Sequence, residues 1–329
     1  MAYHMLFYLS KKVFYVFITV MLILSFNFVL FRMMPGDLTN TMIPKGASNE
    51  TRELLKEYYG LDEPKIVQYF IYMKGVFTGH LGKTWTAVGP GVEISDVLKV
   101  YVGNTLALVG TGTVISIFLG VFLGRETAWR RGKLVDRAGS AFFLVFYCMP
   151  TFLFALVLLT VVTRYVPDWP SGGTKGLEYP DLDILGKIWD RATHAMLPMF
   201  ALTIETIATF SIITRSSLMD VLTEDYMVTA VAKGLKGRQV LKNHAMPNAM
   251  LPVVTVIAMN VGWILSGSIM IEIIFDYKGL GWLTWKAVLA LDYPLLQAAF
   301  MLETVAVVIA NFIADILLGM LDPRVKTLS

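Results

Sequence analysis

Four carboxylates stand inside long apolar runs of this 329-residue chain: Glu205, Glu272, Glu303 and Asp315. A charge at the centre of a bilayer costs about 2.5–3.5 kcal/mol on insertion scales, so such groups line a polar path, relay protons or meet a partner helix rather than face lipid. Glu272 and Asp315 lie near the ends of their runs, within reach of an interface. Glu205 and Glu303 lie deeper and, with Asn260, are candidates for lining a path; protonation or a partner helix would also neutralise the two acids. No other constellation has the spacing of a reaction centre. Four histidines and one cysteine, Cys148, make no metal-ligand cluster, disulfide framework or Ser/His/Asp arrangement. Gly79-His80-Leu81-Gly82-Lys83-Thr84 ends like a phosphate-binding loop, but the first glycine of Gly-x4-Gly-Lys-Ser/Thr would fall on Phe77. A glycine-rich turn is the better reading. One more segment, 214–248, breaks at Gly234 between two helix-like stretches and is flanked by Lys233, Lys236 and Arg238. Such a basic elbow suits docking onto another protein, or is an ordinary surface loop.

The elements that must hold these residues are membrane spans. The chain is 56% hydrophobic and 16% charged, with mean hydropathy +0.62. Soluble domains run at roughly 45–50% apolar and about 25% charged. A soluble enzyme and a disordered chain are therefore excluded, and the net charge of +3 is too small for a nucleic-acid partner. Six runs, 13–31, 102–124, 138–163, 196–213, 249–275 and 295–321, are each long enough to cross ~30 Å of hydrocarbon as a helix. The expected fold is an all-α integral membrane protein of six transmembrane helices. The first run reads as a retained signal anchor, because Arg32-Met33-Met34-Pro35-Gly36-Asp37 follows it without a small-x-small cleavage site. There is no repeat of period ~20–50 residues.

Lysine and arginine set the orientation. With the N-terminus in the cytoplasm, the inside segments 1–12, 125–137, 214–248 and 322–329 hold 14 of the 28 basic residues, and the short outside loops 164–195 and 276–294 hold six. Segment 32–101 balances eight bases with eight acids and is too long to vote. Both termini are therefore expected in the cytoplasm. By side, the net charge divides as +8 inside, −1 outside and −4 within spans. The loop Arg125…Arg130-Arg131-Gly132-Lys133…Arg137 reads as a topology anchor. The organisation expected is an anchor span (1–33), an extracytoplasmic segment with short amphipathic surface helices near 51–59 and 65–76 (34–101), and a five-span core (102–329) carrying the elbow at 214–248. Glycine and serine at Asn260-Val261-Gly262 and Ser266-Gly267-Ser268 suggest close helix packing in the fifth span.

Within the elbow, Ala230-Val231-Ala232-Lys233-Gly234-Leu235…Val240…Asn243-His244-Ala245…Asn248-Ala249…Leu251-Pro252 resembles the EAA-type loop of ABC importer permeases. The form is similar to the oligopeptide/dipeptide/nickel permease family. Arg215-Ser216-Ser217 and Glu224-Asp225-Tyr226 precede the loop as in that family; Gly279-Leu280-Gly281, Asp292-Tyr293-Pro294 and Leu321-Asp322-Pro323-Arg324 follow it, and Pro35-Gly36-Asp37 resembles the post-span motif. The large loop before the second span resembles that of the B-type subunit. In departure from the pattern, Val228 stands where the naming Glu would be, Thr229 replaces the first Ala, and Pro247 takes a usually basic position and stiffens the entry to the fifth span.

The resemblance implies a type I importer permease in the inner or plasma membrane, one half of a heterodimer with a second, homologous permease subunit. Its further partners would be two ATPase subunits and an extracytoplasmic substrate-binding protein. ATP and Mg would be bound by the ATPases, with no cofactor and no catalytic residue in this chain. The elbow would be the coupling helix: Gly234 makes the turn, Leu235, Val240 and Leu241 give apolar contacts, and Lys233, Lys236, Arg238 and His244 give polar contacts, within the matched set Asp225, Tyr226, Ala230 and Asn248. His244 reads as a packing and hydrogen-bonding residue rather than a proton switch. Short peptides are the expected cargo, with oligosaccharides and metals as alternatives. Trp85, Trp169, Trp189, Trp263, Trp282 and Trp285 would stack on sugars or equally anchor the chain at membrane interfaces. A proton-coupled secondary transporter would use the buried acids as a relay, but no inverted repeat is visible. An intramembrane enzyme lacks the required residue cluster.

Overall fold

A computed structural model of the chain describes residues 2–33, 48–50, 53, 56–57, 60–84, 86–264 and 267–321. The motif Pro35-Gly36-Asp37, most of stretch 51–59, Trp85, Ser266 and Asp322-Pro323-Arg324 lie outside the described residues. The helices are α1 (Ala2–Met33), α2 (Lys65–Thr78), α3 (Ile94–Thr105), α4 (Thr111–Trp129), α5 (Leu134–Cys148), α6 (Thr151–Tyr165), α7 (Ile184–Leu222), α8 (Asp225–Ala232), α9 (Gly237–Val240), α10 (Met246–Trp263), α11 (Ile269–Ile274), α12 (Leu280–Ala290) and α13 (Tyr293–Leu321). Single π turns at Leu106–Gly110 and Leu241–Ala245 join α3 to α4 and α9 to α10.

Among the described residues, five stretches are long and apolar enough to cross a membrane: Ser10–Met33, Ile94–Trp129, Ile184–Leu222, Gly237–Trp263 and Tyr293–Ile316. A sixth span exists if α5 and α6, bent by 100° against each other, are counted as one. The expected straight crossing at 138–163 is thereby corrected. Pro150 offers no N–H to a continuing helix and pushes the residue before it out of the helical region, and Met149 is extended at ψ 125°. The expected run 249–275 is also cut, since α10 ends at Trp263 and α11 begins only after Gly267, which turns at φ +69°. Gly267 therefore marks a break rather than the helix packing expected there.

The chain folds as two compact units. The first comprises residues 1–105, 265–269 and 278–312. Its core gathers Phe31, Ile94, Leu98, Leu280, Leu283, Leu295 and Ala299. Two short antiparallel strands, β1 (Lys83–Thr84) and β2 (Val92–Glu93), pair Lys83 with Glu93 and Thr84 with Val92. The glycine-rich segment before them ends α2 at Gly79 (φ +76°) and turns again at Gly82 (φ +95°) into β1. Asp292, buried between α12 and α13, holds the hairpin: its Oδ2 accepts from Thr84 Oγ1 (2.6 Å), Thr86 N (3.1 Å) and Ala87 N (3.2 Å). The backbone beside Gly279 is tied to α3, with Asn104 Nδ2 donating to Lys278 O and Leu280 N to Thr105 Oγ1, both at 2.7 Å.

The second unit comprises residues 106–264, 270–277 and 313–329. Helices α4, α5, α6 and α10 all pack against α7. The closest approach is along α4, where Gly112, Ser116, Gly120 and Gly124 recur at every fourth residue and are all buried. Residues four apart share one helix face, and small ones there let two backbones meet. Ser116 Oγ bonds Gly112 O (2.8 Å) and Thr203 O (3.3 Å), and Ser211 Oγ bonds Gly120 O (3.2 Å).

Candidate functional site

The elbow is built from the end of α7 onward. Helix α7 closes at Leu222, where Thr223 Oγ1 returns to Asp220 O at 2.7 Å. Helix α8 then starts with Asp225 in its first turn, where an acid complements the helix dipole. Its Met227 and Ala230, three residues apart, point into a core shared with Ala128, Leu218, Val240, Leu241, Ala245 and Ala249. Gly234 turns the chain at φ +77°, its N–H bonded to Val231 O at 2.9 Å. A Cβ at Gly234 would meet nothing within 4 Å, so glycine is required there by the dihedral and not by space. Lys236 N donates to Gln239 Oε1 at 3.1 Å and opens α9, and Gly237 lies against Trp129, 3.2 Å from where a Cβ would sit.

The second helix-like stretch of the elbow is the first part of one longer helical stretch, Gly237–Trp263. Pro247 can give no hydrogen bond to Asn243 O, and its ring would press on that carbonyl. The π turn Leu241–Ala245 widens the helix just before it. Ser217 Oγ to Ala249 O, 2.8 Å, pins α7 to α10 beside the elbow.

Of the matched residues, Asp225, Tyr226, Lys233, Gly234, Lys236, Arg238 and Asn248 are exposed, and Leu235 and His244 are half-buried. Asn248 Nδ2 bonds His244 O within its own helix, at 2.8 Å. Val240 and Leu241, expected as apolar contacts to a partner, are 2% and 8% exposed and complete the elbow's own core, as does Ala230. The apolar surface offered outward is instead Tyr226, Val228 and Val231, the latter two 68% and 61% exposed. The spacing of Met227 and Ala230 was the signal for this: it marks the inner face of α8.

Asp136 is a further residue that residue-type reasoning passed over. It lies in the basic loop read as a topology anchor, yet is 5% exposed. Its carboxylate accepts from Arg215 Nε (2.7 Å), Gly132 N (2.9 Å) and Ser140 Oγ (3.3 Å). The loop is thus tied to α7 shortly before the elbow. A lone acid between Arg131 and Arg137 was its signal in the sequence.

The candidate path residues are spread over both units. In the second, Glu205 on α7 is half-buried and accepts the Thr151 hydroxyl, while Asn260 Nδ2 bonds Val256 O in its own helix at 2.9 Å. In the first, Glu303 Oε1 accepts from Thr284 Oγ1 at 3.1 Å. Glu272 is fully buried and Asp315 exposed. Beside α11, burial and the Glu272 carboxylate push the Tyr277 phenol up to about 12. Among the described residues no group of three or more His, Cys, Asp or Glu could hold a metal.

Comparison with known proteins assigns this architecture. The family described as "Binding-protein-dependent transport system inner membrane component" matches residues 116–327, and its N-terminal membrane component family matches residues 5–101. The oligopeptide transport system permease protein AppB of Bacillus subtilis is 31% identical over 300 residues, 91% of this chain and 93% of that protein. The dipeptide transport system permease protein DppB of the same organism is 31% identical over 97% of both chains. The DppB of Escherichia coli K12 is 32% identical, over 92% of this chain and 93% of its own. Among solved structures, a chain of the MetNI methionine ABC transporter in inward-facing conformation aligns with TM-score 0.55 at 15% identity, over 69% of this chain and 96% of that one. The fold is therefore that of a type I ABC importer permease. The chain belongs to the inner membrane components of binding-protein-dependent transport systems: it is a multi-pass membrane permease component, not an enzyme.

Proposed function

We propose that this chain is one permease subunit of an ATP-driven importer of short peptides, and that residues 224–248 couple it to a separate ATPase. The relatives named for oligopeptides and dipeptides favour peptides over oligosaccharides. The observation that carries the coupling role is mechanical. Helix α7 runs unbroken over 39 residues into an elbow that has its own buried core, a Ser217–Ala249 hydrogen bond pinning α7 to α10 beside it, and an exposed face at Tyr226, Val228, Val231, Lys233, Lys236 and Arg238. A push on that face is not absorbed locally, so it tilts α7 as a rigid body and alternates access to the path. Both termini and the elbow lie in the cytoplasm, a reading supported by the excess of Lys and Arg in the loops on that side. The working assembly contains a second permease subunit, two ATPases that hold ATP and Mg, and an extracytoplasmic binding protein that selects the cargo. This chain itself binds no cofactor. Within the second unit, Glu205 and Asn260 contribute polar groups to the path.

Reconstitution in vesicles tests the reading. Uptake of a peptide panel is expected only with the ATPases, the binding protein and ATP together. Uptake by this chain and its permease partner on a pH gradient alone would overturn it. A binding protein that takes oligosaccharides and no peptide would overturn the cargo.

A further inference from the structure

A cavity of about 410 Å³ opens within the first unit, among the end of α1, helix α2 and the start of α13. Its size is at the lower end of small-ligand pockets, which run about 300–1,000 Å³. Arg32, Lys74, His80 and Gln297 supply its polar wall, and Leu81 and Met301 lie among its apolar residues. The described lining carries no carboxylate. Among the described residues, two of its polar side chains have donors without acceptors. Arg32 Nε and Nη1 are shut from solvent and unpaired, and so is Nε2 of Gln297, a residue only 8% exposed. Buried unpaired donors cost about 1–3 kcal/mol each, more when charged, so the pocket is suited to an acceptor that the described residues do not supply.

The donors are held in place. The Arg32 guanidinium lies over the Phe28 ring at 5.2 Å, and Phe28 packs against Tyr69 and Tyr72 at 5.4 and 5.7 Å. Gln297 O accepts from Asn27 Nδ2 at 3.5 Å, and Asn27 Oδ1 accepts from Tyr72 OH at 3.3 Å. Gly75 brings the chain around His80 close to α2, since a Cβ there would lie 2.7 Å from His80 O.

The setting selects the acceptor. Arg32 is the penultimate residue of a membrane-crossing stretch, Ser10–Met33. Helix α2 exposes Ile66, Phe70 and Phe77 at 68%, 65% and 64%. A 14-residue helix with large apolar side chains facing outward beside the end of a span belongs in the membrane interface. At that depth the abundant multivalent acceptor is the lipid phosphodiester, and a net positive lining favours an anionic lipid.

We propose that this cavity is a headgroup site for an anionic phospholipid. Its phosphodiester oxygens are taken by Arg32 and Gln297 Nε2, with Lys74 at the mouth. The site does not depend on the cargo or on the ATPase coupling. The test is native mass spectrometry of the purified transporter in detergent, titrated with phosphatidylglycerol, phosphatidylcholine or inorganic phosphate. The expected result is a phosphatidylglycerol bound about tenfold more tightly than phosphatidylcholine, a preference lost in Arg32→Gln and weakened in Lys74→Gln. Lys74 is exposed, so its variant carries the test if Arg32→Gln fails to fold. Equal binding of the two lipids by the wild type, or an unchanged preference in the folded variants, would overturn the proposal. Displacement of the lipid by equimolar inorganic phosphate would assign the site to a free anion and overturn it as well.

Discussion

Gly124→Ala adds one methyl group where α4 meets the backbone of α7. The new Cβ would stand 2.5 Å from Ser211 O, 2.8 Å from Thr214 Cβ and 3.0 Å from Ser211 Cα. Backbone is two of the three obstacles, so no side-chain rotation relieves the clash, and α4 and α7 must separate. Alanine in place of a helical glycine would otherwise gain about 0.5–1 kcal/mol from backbone entropy. Overpacking a well-fitted contact costs typically ~1–3 kcal/mol. The balance at Gly124 is a loss of about 1–2 kcal/mol. Gly103 provides the control, because a Cβ there meets nothing within 4 Å and only the propensity gain remains. Gly103→Ala should therefore stabilise, by up to about 1 kcal/mol. Equilibrium unfolding in mixed detergent micelles, followed by circular dichroism, compares the two variants. A Gly124→Ala protein as stable as the wild type would refute the claim that α4 and α7 meet backbone to backbone.

Four further outcomes follow from named residues. Asp136→Ala leaves the Arg215 guanidinium without its closest acceptor; because that side chain is 31% exposed, the loss should be about 2 kcal/mol rather than the ~3–5 of a fully buried pair, measured by the same unfolding assay. Asp292→Ala strips the acceptor from Thr84 and from the N–H groups of Thr86 and Ala87, and should cost about 2–4 kcal/mol and speed proteolysis within 83–93. Val228→Asp with Val231→Asp should leave folding within about 0.5 kcal/mol of wild type, both sites being exposed, yet weaken ATPase pull-down; Gly234→Val should instead strain the turn and uncouple ATP hydrolysis from uptake.

The spans were legible because lipid leaves the backbone no choice: an apolar run of sufficient length must satisfy its own hydrogen bonds as helix. Where a span bends was not legible, and the prolines show why. Pro150, Pro198 and Pro252 all stand in apolar runs. Pro198 and Pro252 lie inside unbroken helices, and only Pro150 divides two. A proline inside a helix removes one hydrogen bond, but the chain breaks only if the residue before it leaves the helical region, as Met149 does. That choice is made by what packs around the helix, which composition does not record. The elbow repeats the lesson. Its location followed from Gly234 and its flanking charges, while its outward face did not, because Val231 and Val240 are the same residue type and only the fold separates a 61% exposed valine from a 2% exposed one.

Helix contacts divide along the same line. Glycine and serine are dense near 260–268, but density says nothing about direction, and Gly267, at φ +69°, stands in the break between α10 and α11. Gly112, Ser116, Gly120 and Gly124 are no denser, yet their period of four puts every small residue on one face. Only that arrangement lets a second backbone approach along its length, which is why Ser211 reaches Gly120 O and why one methyl at Gly124 has nowhere to go. The lipid pocket stands furthest from the sequence: Arg32 and Gln297 share no motif, and their unpaired nitrogens acquire a meaning only once the fold has buried both in one wall.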